Sequence, residues 1–298
     1  MVFLIDASVY VYRAYHSVLP DNMVDHEGNP VQAVFGFARF LGDLIERMRP
    51  RHIAVAFDQR LSNSYRSRIY PQYKANREPT PVYLTRQFDH CRQVCQHLGI
   101  AAFTHREYEA DDIIGTLACL MRDEGMRSAF ITRDKDLAQL VRDGDLFWDY
   151  GARDQFGYHD IRRYYGVTPE RFADYLALTG DTSDNIPGVP GIGPRTAAML
   201  MSEFESLDEL YADLGRVAQL KKLRGAKTLS ERLRQYRESA YLARQLTRIT
   251  CDLELGVDGE GLRRRVPDVK ALGGLYDQLG FGPFLRRQGD RLAQLPMA

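Results

Sequence analysis

Short apolar runs alternate with longer stretches of helical periodicity through the first half of the chain. VFLID (2–6), HIAVAFD (52–58), IAAFTH (100–105) and RSAFITRD (127–134) read as buried strands, and Leu146 to Tyr150 adds another, with Trp148 taken as core. Between them, 32–48, 82–98 and 110–124 read as helices. Strands alternating with helices predict βαβ units and a parallel sheet, hence an α/β core. Beyond residue 165 the strand signals fade, and helical patterns at 169–178, 194–204, 206–213 and 229–247 take over.

The polar residues that end these strands change the picture. Asp6 closes the first, Asp58 the second and Asp134 the fourth, with Asp136 just after it. In open parallel sheets ligands bind outside the carboxyl ends of the strands. A single aspartate there is ordinarily a turn or cap residue, but three on one edge point to a site. Glu109, Asp111 and Asp112 (YEADD) open a helix, where acids also serve capping and the helix dipole. Capping needs one or two acids, and here three stand together. Two carboxylates about 4 Å apart repel by roughly 4 kcal/mol at an effective dielectric of about 20, so a pocket of many acids calls for cations. Oxygen ligands without His or Cys suit Mg²⁺ or Mn²⁺ better than zinc. Two such ions roughly 3.5–4 Å apart stabilise the attacking and leaving oxygens of an in-line phosphoryl displacement.

Composition narrows the class. The chain has 298 residues, 44% hydrophobic and 27% charged, as expected of one large or two ordinary globular domains. Four cysteines are too few for a disulfide scaffold. In HCRQVCQH, Cys91 and Cys95 lie at i, i+4 beside Val94 and Leu98, which reads as a buried helix face before it reads as a zinc site. The start MVFLID lacks the basic region of a signal peptide, and no apolar run of about 18 residues occurs, so a cytoplasmic protein without a membrane partner is expected. There is no GxSxG and no GxxxxGK[ST], and the glycines of GVPGIG do not follow a first Rossmann strand. Serine-hydrolase chemistry and a nucleotide cofactor therefore have no motif.

Net charge is zero but unevenly spread. Residues 59–77 carry Arg60, Arg66, Arg68, Lys74 and Arg77 and no acid, with Tyr65, Tyr70 and Tyr73 interleaved, as binding of a single nucleic-acid strand requires. Residues 215–250 carry ten basic residues, among them Lys221, Lys222 and Arg224, against two acids. Just before this run, GVPGIG (188–193) places Gly188, Gly191 and Gly193 ahead of Pro194 and Arg195. Such a loop lets backbone N–H groups approach a phosphate, although a plain interhelical turn would look the same.

Taken together, IDASVYVYR (5–13), Asp58, YRSRIYPQYKANR (65–77), YEADD (108–112), TRDKD (132–136) and GDTSDNIPGVPGIGPRTA (180–197) resemble the 5′→3′ exonuclease and flap-endonuclease family, in particular the 5′-nuclease domain of bacterial DNA polymerase I. The resemblance runs from about residue 2 to about residue 250. It implies a PIN-like nuclease core over 1–165 with a helical arch near 60–85, then a helical DNA-binding region over 166–298 with a helix–hairpin–helix near 184–204. It implies Mg²⁺- or Mn²⁺-dependent hydrolysis of DNA with 5′ ends or 5′ flaps to 5′-phosphate products. The metal-binding acids it implies are Asp6, Asp58, Glu109, Asp111, Asp112, Asp134, Asp136, Asp181 and Asp184. Arg13, Arg66, Tyr73, Lys74 and Arg77 match residues near the scissile phosphate, and the hairpin glycines a loop that can hold K⁺. Arg133 stands where relatives usually carry a small residue. A monomeric, standalone nuclease is expected. A non-catalytic binder of branched DNA and a PIN-type ribonuclease are the alternatives.

Overall fold

In the computed structural model, which describes residues 1–17, 23–59, 64–152 and 154–296, six strands form one sheet in the order β3-β2-β1-β4-β5-β6. They are β1 (Val2–Asp6), β2 (His52–Phe57), β3 (Ala101–Thr104), β4 (Ser128–Ile131), β5 (Leu146–Asp149) and β6 (Asp154–Phe156). The first five run parallel, and β6 pairs antiparallel with β5. Side chains of a strand alternate between faces, so Val2 and Leu4 join one core and Phe3 and Ile5 the other. The parallel strands are apolar on both faces because helices cover both. On one side lie α1 (Ala7–Ser17), α2 (Gln32–Met48) and α4 (Val82–His97), and on the other α5 (Ala110–Asp123). Cys91 and Cys95 are buried on α4, where burial pushes both thiols up in pKa, as core residues should behave.

The segment expected to form an arch is described from residue 64 onward. A short helix, α3 (Tyr65–Ile69), leads into consecutive turns over 71–77; Arg60 lies outside the described residues. After α6 (Tyr158–Tyr165), the helical half comprises α7 (Phe172–Thr179), α8 (Pro194–Glu203), α9 (Leu207–Ala212), α10 (Leu214–Ala218), α11 (Ala226–Gln235) and α12 (Arg237–Thr247). The pattern over 229–247 is not one helix: it breaks at Tyr236 (φ −105°, ψ 26°), where no Gly or Pro marks the break. The helix before the glycine-rich loop is α7, which ends at Thr179, and the helix after it is α8.

The expected helical region does not run to residue 298. After α12 the chain returns to the first domain, where α13 (Val269–Gln278) and α14 (Pro283–Ala293) pack on α4 and α2. Leu272, Leu275, Leu285 and Leu292 complete the core on that side of the sheet. Arg264 N donates to Arg51 O and Arg265 N to Gly99 O, both at 2.9 Å. Gly99, at φ +72°, permits this approach: a Cβ there would stand 2.4 Å from Arg265 O. Among the described residues, no helix is long and apolar enough to cross a membrane.

Candidate active site

The sheet brings the strand-end acids to one edge. Asp6 Oδ1 accepts from Ser8 N (3.0 Å) and Oδ2 from Thr132 Oγ1 (3.1 Å). Asp58 accepts from Ser8 Oγ (2.9 Å) and from Ala110 N at the start of α5 (2.8 Å), which ties the second strand end to the helix bearing Asp111. Asp134 Oδ1 accepts from Asp136 N (3.0 Å). These few donors do not neutralise the cluster. Burial, then repulsion from Asp58 and Asp134, lifts Asp6 to about 7. Burial, then Asp134, does the same to Asp136. Asp111 is raised well above its ordinary value, by burial and then by Asp134 and Asp6, and Asp58 is raised by burial and then Glu109.

That surplus of buried negative charge, carried on oxygen donors alone, fits hard divalent cations. Glu109 Oε1 adds a buried carboxylate oxygen with no hydrogen-bond partner. The acids are not drawn into a closed ligand set, however: among the described residues no three His, Cys, Asp or Glu side chains form a ready-made metal cluster.

Carboxyls whose folded pKa lies above the unfolded value keep their proton in the folded state. Their contribution is therefore complete below about pH 4 and is lost as pH rises through about 7. Lys74 and Lys135, both raised, hold their charge throughout this window, and Asp181, which is lowered, has finished its effect below it. Thermal melts in chelator should show the melting temperature falling between about pH 5 and 7.5, and Mg²⁺ should restore more at the upper end. A metal-free melting temperature that stays flat or rises across this range would contradict the charge surplus.

Cations line the other side of the cluster. Lys74 Nζ lies 3.0 Å from Glu109 Oε2 and 3.6 Å from Asp184 Oδ2, and these acids with Asp58 raise its pKa against the pull of burial. Arg77 pairs with Asp184, and Lys135 with Asp181. Lys74 sits at φ +55°, a strained conformation for a lysine, of the kind that persists where the surroundings over-determine it. The surroundings here are the 181–185 loop. Lys74 N donates to Asp184 O (2.9 Å), Asn76 Nδ2 to Thr182 O (2.9 Å) and Asn185 Nδ2 to Gln72 O (2.7 Å). The basic segment is thus clipped to the GDTSDN segment, which carries Asp181 and Asp184.

Three residues expected at the reacting centre point inward. Arg66 is 3% exposed and spends its donors on Asp112 (2.5 and 2.8 Å), Leu246 O (2.7 Å) and Arg248 O (3.1 Å). Asp112 is fully buried and also accepts from Glu109 N (3.2 Å) and Thr250 N (2.8 Å). Each of its oxygens thus accepts from two donors, and Asp112 caps α5. Tyr73 is buried with its hydroxyl 2.9 Å from Glu109 Oε2 and 3.2 Å from Asp184 Oδ2, so it is not free to stack on a base.

Arg13 donates twice to Asp149, at 2.8 and 3.0 Å, and Arg133 Nε stands 3.1 Å from the same carboxylate. Sequence reasoning passed over Asp149, although it ends β5 just as Asp6 ends β1. Lys135 was missed too, inside the TRDKD motif itself.

In the hairpin, Gly188 packs against Gly180: a Cβ on either would stand 2.4 Å from the other's backbone nitrogen. Gly193 caps α8 ahead of Pro194, and Gly193 and Arg195 are exposed. Gly191, at φ +78°, lies against the Arg232 guanidinium. Lys221, Lys222 and Arg224 are exposed on the turn between α10 and α11, with Lys222 3.4 Å from Glu203.

The profile of the 5′-3′ exonuclease N-terminal resolvase-like domain matches residues 1–166, and that of the C-terminal SAM fold matches 167–270. The chain belongs to the 5′-3′ exonuclease family. A family member from Buchnera aphidicola, a 5′-3′ exonuclease, is 31% identical over 94% of this chain and 96% of its own length. DNA polymerase I of Chloroflexus aurantiacus is 36% identical over 95% of this chain, which spans 30% of that protein's length. In three dimensions the chain has the fold of the bacteriophage T5 flap endonuclease solved in a pseudo-enzyme-product complex with DNA and metal ions. The TM-score is 0.64, with 19% identity and 99% of both chains covered.

Proposed function

We propose that this member of the family is a divalent-metal-dependent 5′→3′ exonuclease and 5′-flap endonuclease that hydrolyses DNA phosphodiesters to 5′-phosphate products. The observation that carries the reading is the convergence of Asp6, Asp58, Asp111 and Asp134 at one sheet edge, where burial and mutual repulsion call for cations. Asp6, Asp58, Asp111, Asp134 and Asp136 would hold Mg²⁺ or Mn²⁺, joined by the free oxygen of Glu109. A divalent ion there supplies positive charge to the phosphate and lowers the pKa of water.

The chain's own residues prepare the rest. Ser8 and Thr132 orient Asp58 and Asp6. Lys74 and Arg77 offer fixed positive charge to the phosphate as its negative charge develops. Asp181 and Asp184 hold Lys135, Lys74 and Arg77 in place. The exposed hairpin with Arg195, and Lys221, Lys222 and Arg224 beyond it, would contact duplex phosphates, and the hairpin could take K⁺. The protein would act as a monomer.

The test is a labelled DNA 5′-flap incubated with Mg²⁺ or Mn²⁺, with EDTA, and beside an RNA flap. The reading expects metal-dependent release of 5′-phosphate DNA fragments. Binding without cleavage in either metal, or preference for RNA, would overturn it.

A further inference from the structure

We propose that Arg133 is a substrate contact that grips the phosphodiester adjoining the one cleaved, held in place by Asp149; this rests on the nuclease reading above. Four neighbouring strands, β2, β1, β4 and β5, lead at the same edge to Asp58, Asp6, Asp134 and Asp149. The first three surround the proposed metal site. The fourth is bridged by two guanidiniums, Arg13 and Arg133, and also accepts from Gly151 N (3.1 Å) and Ala152 N (3.3 Å). Two cations on one carboxylate leave positive charge over. Arg13 Nη1, buried and without a hydrogen-bond partner, belongs to that excess.

The two arginines differ in what they can reach. Arg13 lies by the Tyr10 ring (5.4 Å) and under the 149–152 turn. A Cβ on Gly151 would stand 1.5 Å from its Nη1, so the turn closes over it only because residue 151 is glycine. Arg133 keeps 62% of its side chain exposed while its Nε stays anchored on Asp149. It directly precedes Asp134, and its anchor lies one strand further along the edge, about 4.8 Å away. The arginine side chain adds its own reach to that step, so its guanidinium stands about one backbone repeat from the acids. The phosphate Arg133 meets is thus the neighbour of the one over the acids. A cation there offsets the repulsion that the acid cluster exerts on the DNA backbone.

The experiment uses 5′-flap DNAs with a single neutral methylphosphonate at the phosphate on either side of the cleaved one. Cleavage in Mg²⁺ and equilibrium binding in Ca²⁺ are measured for the wild type, Arg133→Ala and Asp149→Asn. Arg133→Ala should lower kcat/KM on all-phosphate DNA by about 10- to 100-fold, the range of a hydrogen bond to a charged group, with the melting temperature unchanged. One methylphosphonate should cost wild type a similar factor and cost Arg133→Ala nothing more. Asp149→Asn should fall between the two, losing part of the discrimination. Independent, multiplying losses at both positions, or no loss in Arg133→Ala, would overturn the proposal. If wild type binds without cutting, the nuclease reading fails alone, and the same comparison is read from affinities.

Discussion

Asp111→Asn should abolish metal-dependent flap cleavage and at the same time stabilise the metal-free protein. Half-buried, Asp111 faces Asp134, Asp6 and Asp58, and desolvation with their repulsion raises its pKa well above the ordinary value. Asparagine keeps the shape and removes the charge. Losing a residue that merely supports a metal ligand costs about 10- to 100-fold in affinity or activity, so losing a ligand should cost at least about 100-fold. In chelator near neutral pH the melting temperature should rise by roughly 2–4 °C, the shift that about 1 kcal/mol produces in a domain of about 150–250 residues. Function and stability then move in opposite directions, as at sites where charge is concentrated against its own repulsion. Activity is read by single-turnover cleavage and stability by calorimetry. Lost activity with lowered stability would mean that Asp111 is structural.

The second large effect is expected at Arg66, in the opposite sense. Arg66→Ala leaves Asp112 charged, fully buried and without its bidentate partner, and frees the carbonyls of Leu246 and Arg248. Breaking a buried ion pair from one side costs about 3–5 kcal/mol. At roughly 2 °C per kcal/mol for a chain this long, the melting temperature should fall by roughly 6–10 °C. The double variant Arg66→Met with Asp112→Leu should recover much of that loss, because no charge is left stranded. If Arg66→Ala melts like wild type yet cleaves poorly, Arg66 acts on the substrate after all.

Asp111 and Arg66 differ in what their local sequence reveals, although both sit in recognisable motifs, YEADD and YRSRI. Nothing local says that Asp111 turns to the sheet edge while Asp112 turns to Arg66. Successive residues of a helix start diverge by about 100°, and only the element packed on each face decides which carboxylate meets a cation. The same holds for Lys74, whose left-handed backbone is fixed by a loop more than a hundred residues away in sequence.

By itself the sequence determined the parallel sheet, most of the helices and the acids at the strand ends, because periodicity and residue type are local properties. It also determined the GDTSDN–hairpin segment, whose glycines admit few other backbones. Only the tertiary structure decided which of these acids share a buried site, that α13 and α14 return to the sheet, that Tyr73 is core, and that Asp149 holds two arginines. Each of these depends on side chains far apart in the chain meeting where water is excluded. There a charge must find its partner, and local pattern carries no record of which partner that is.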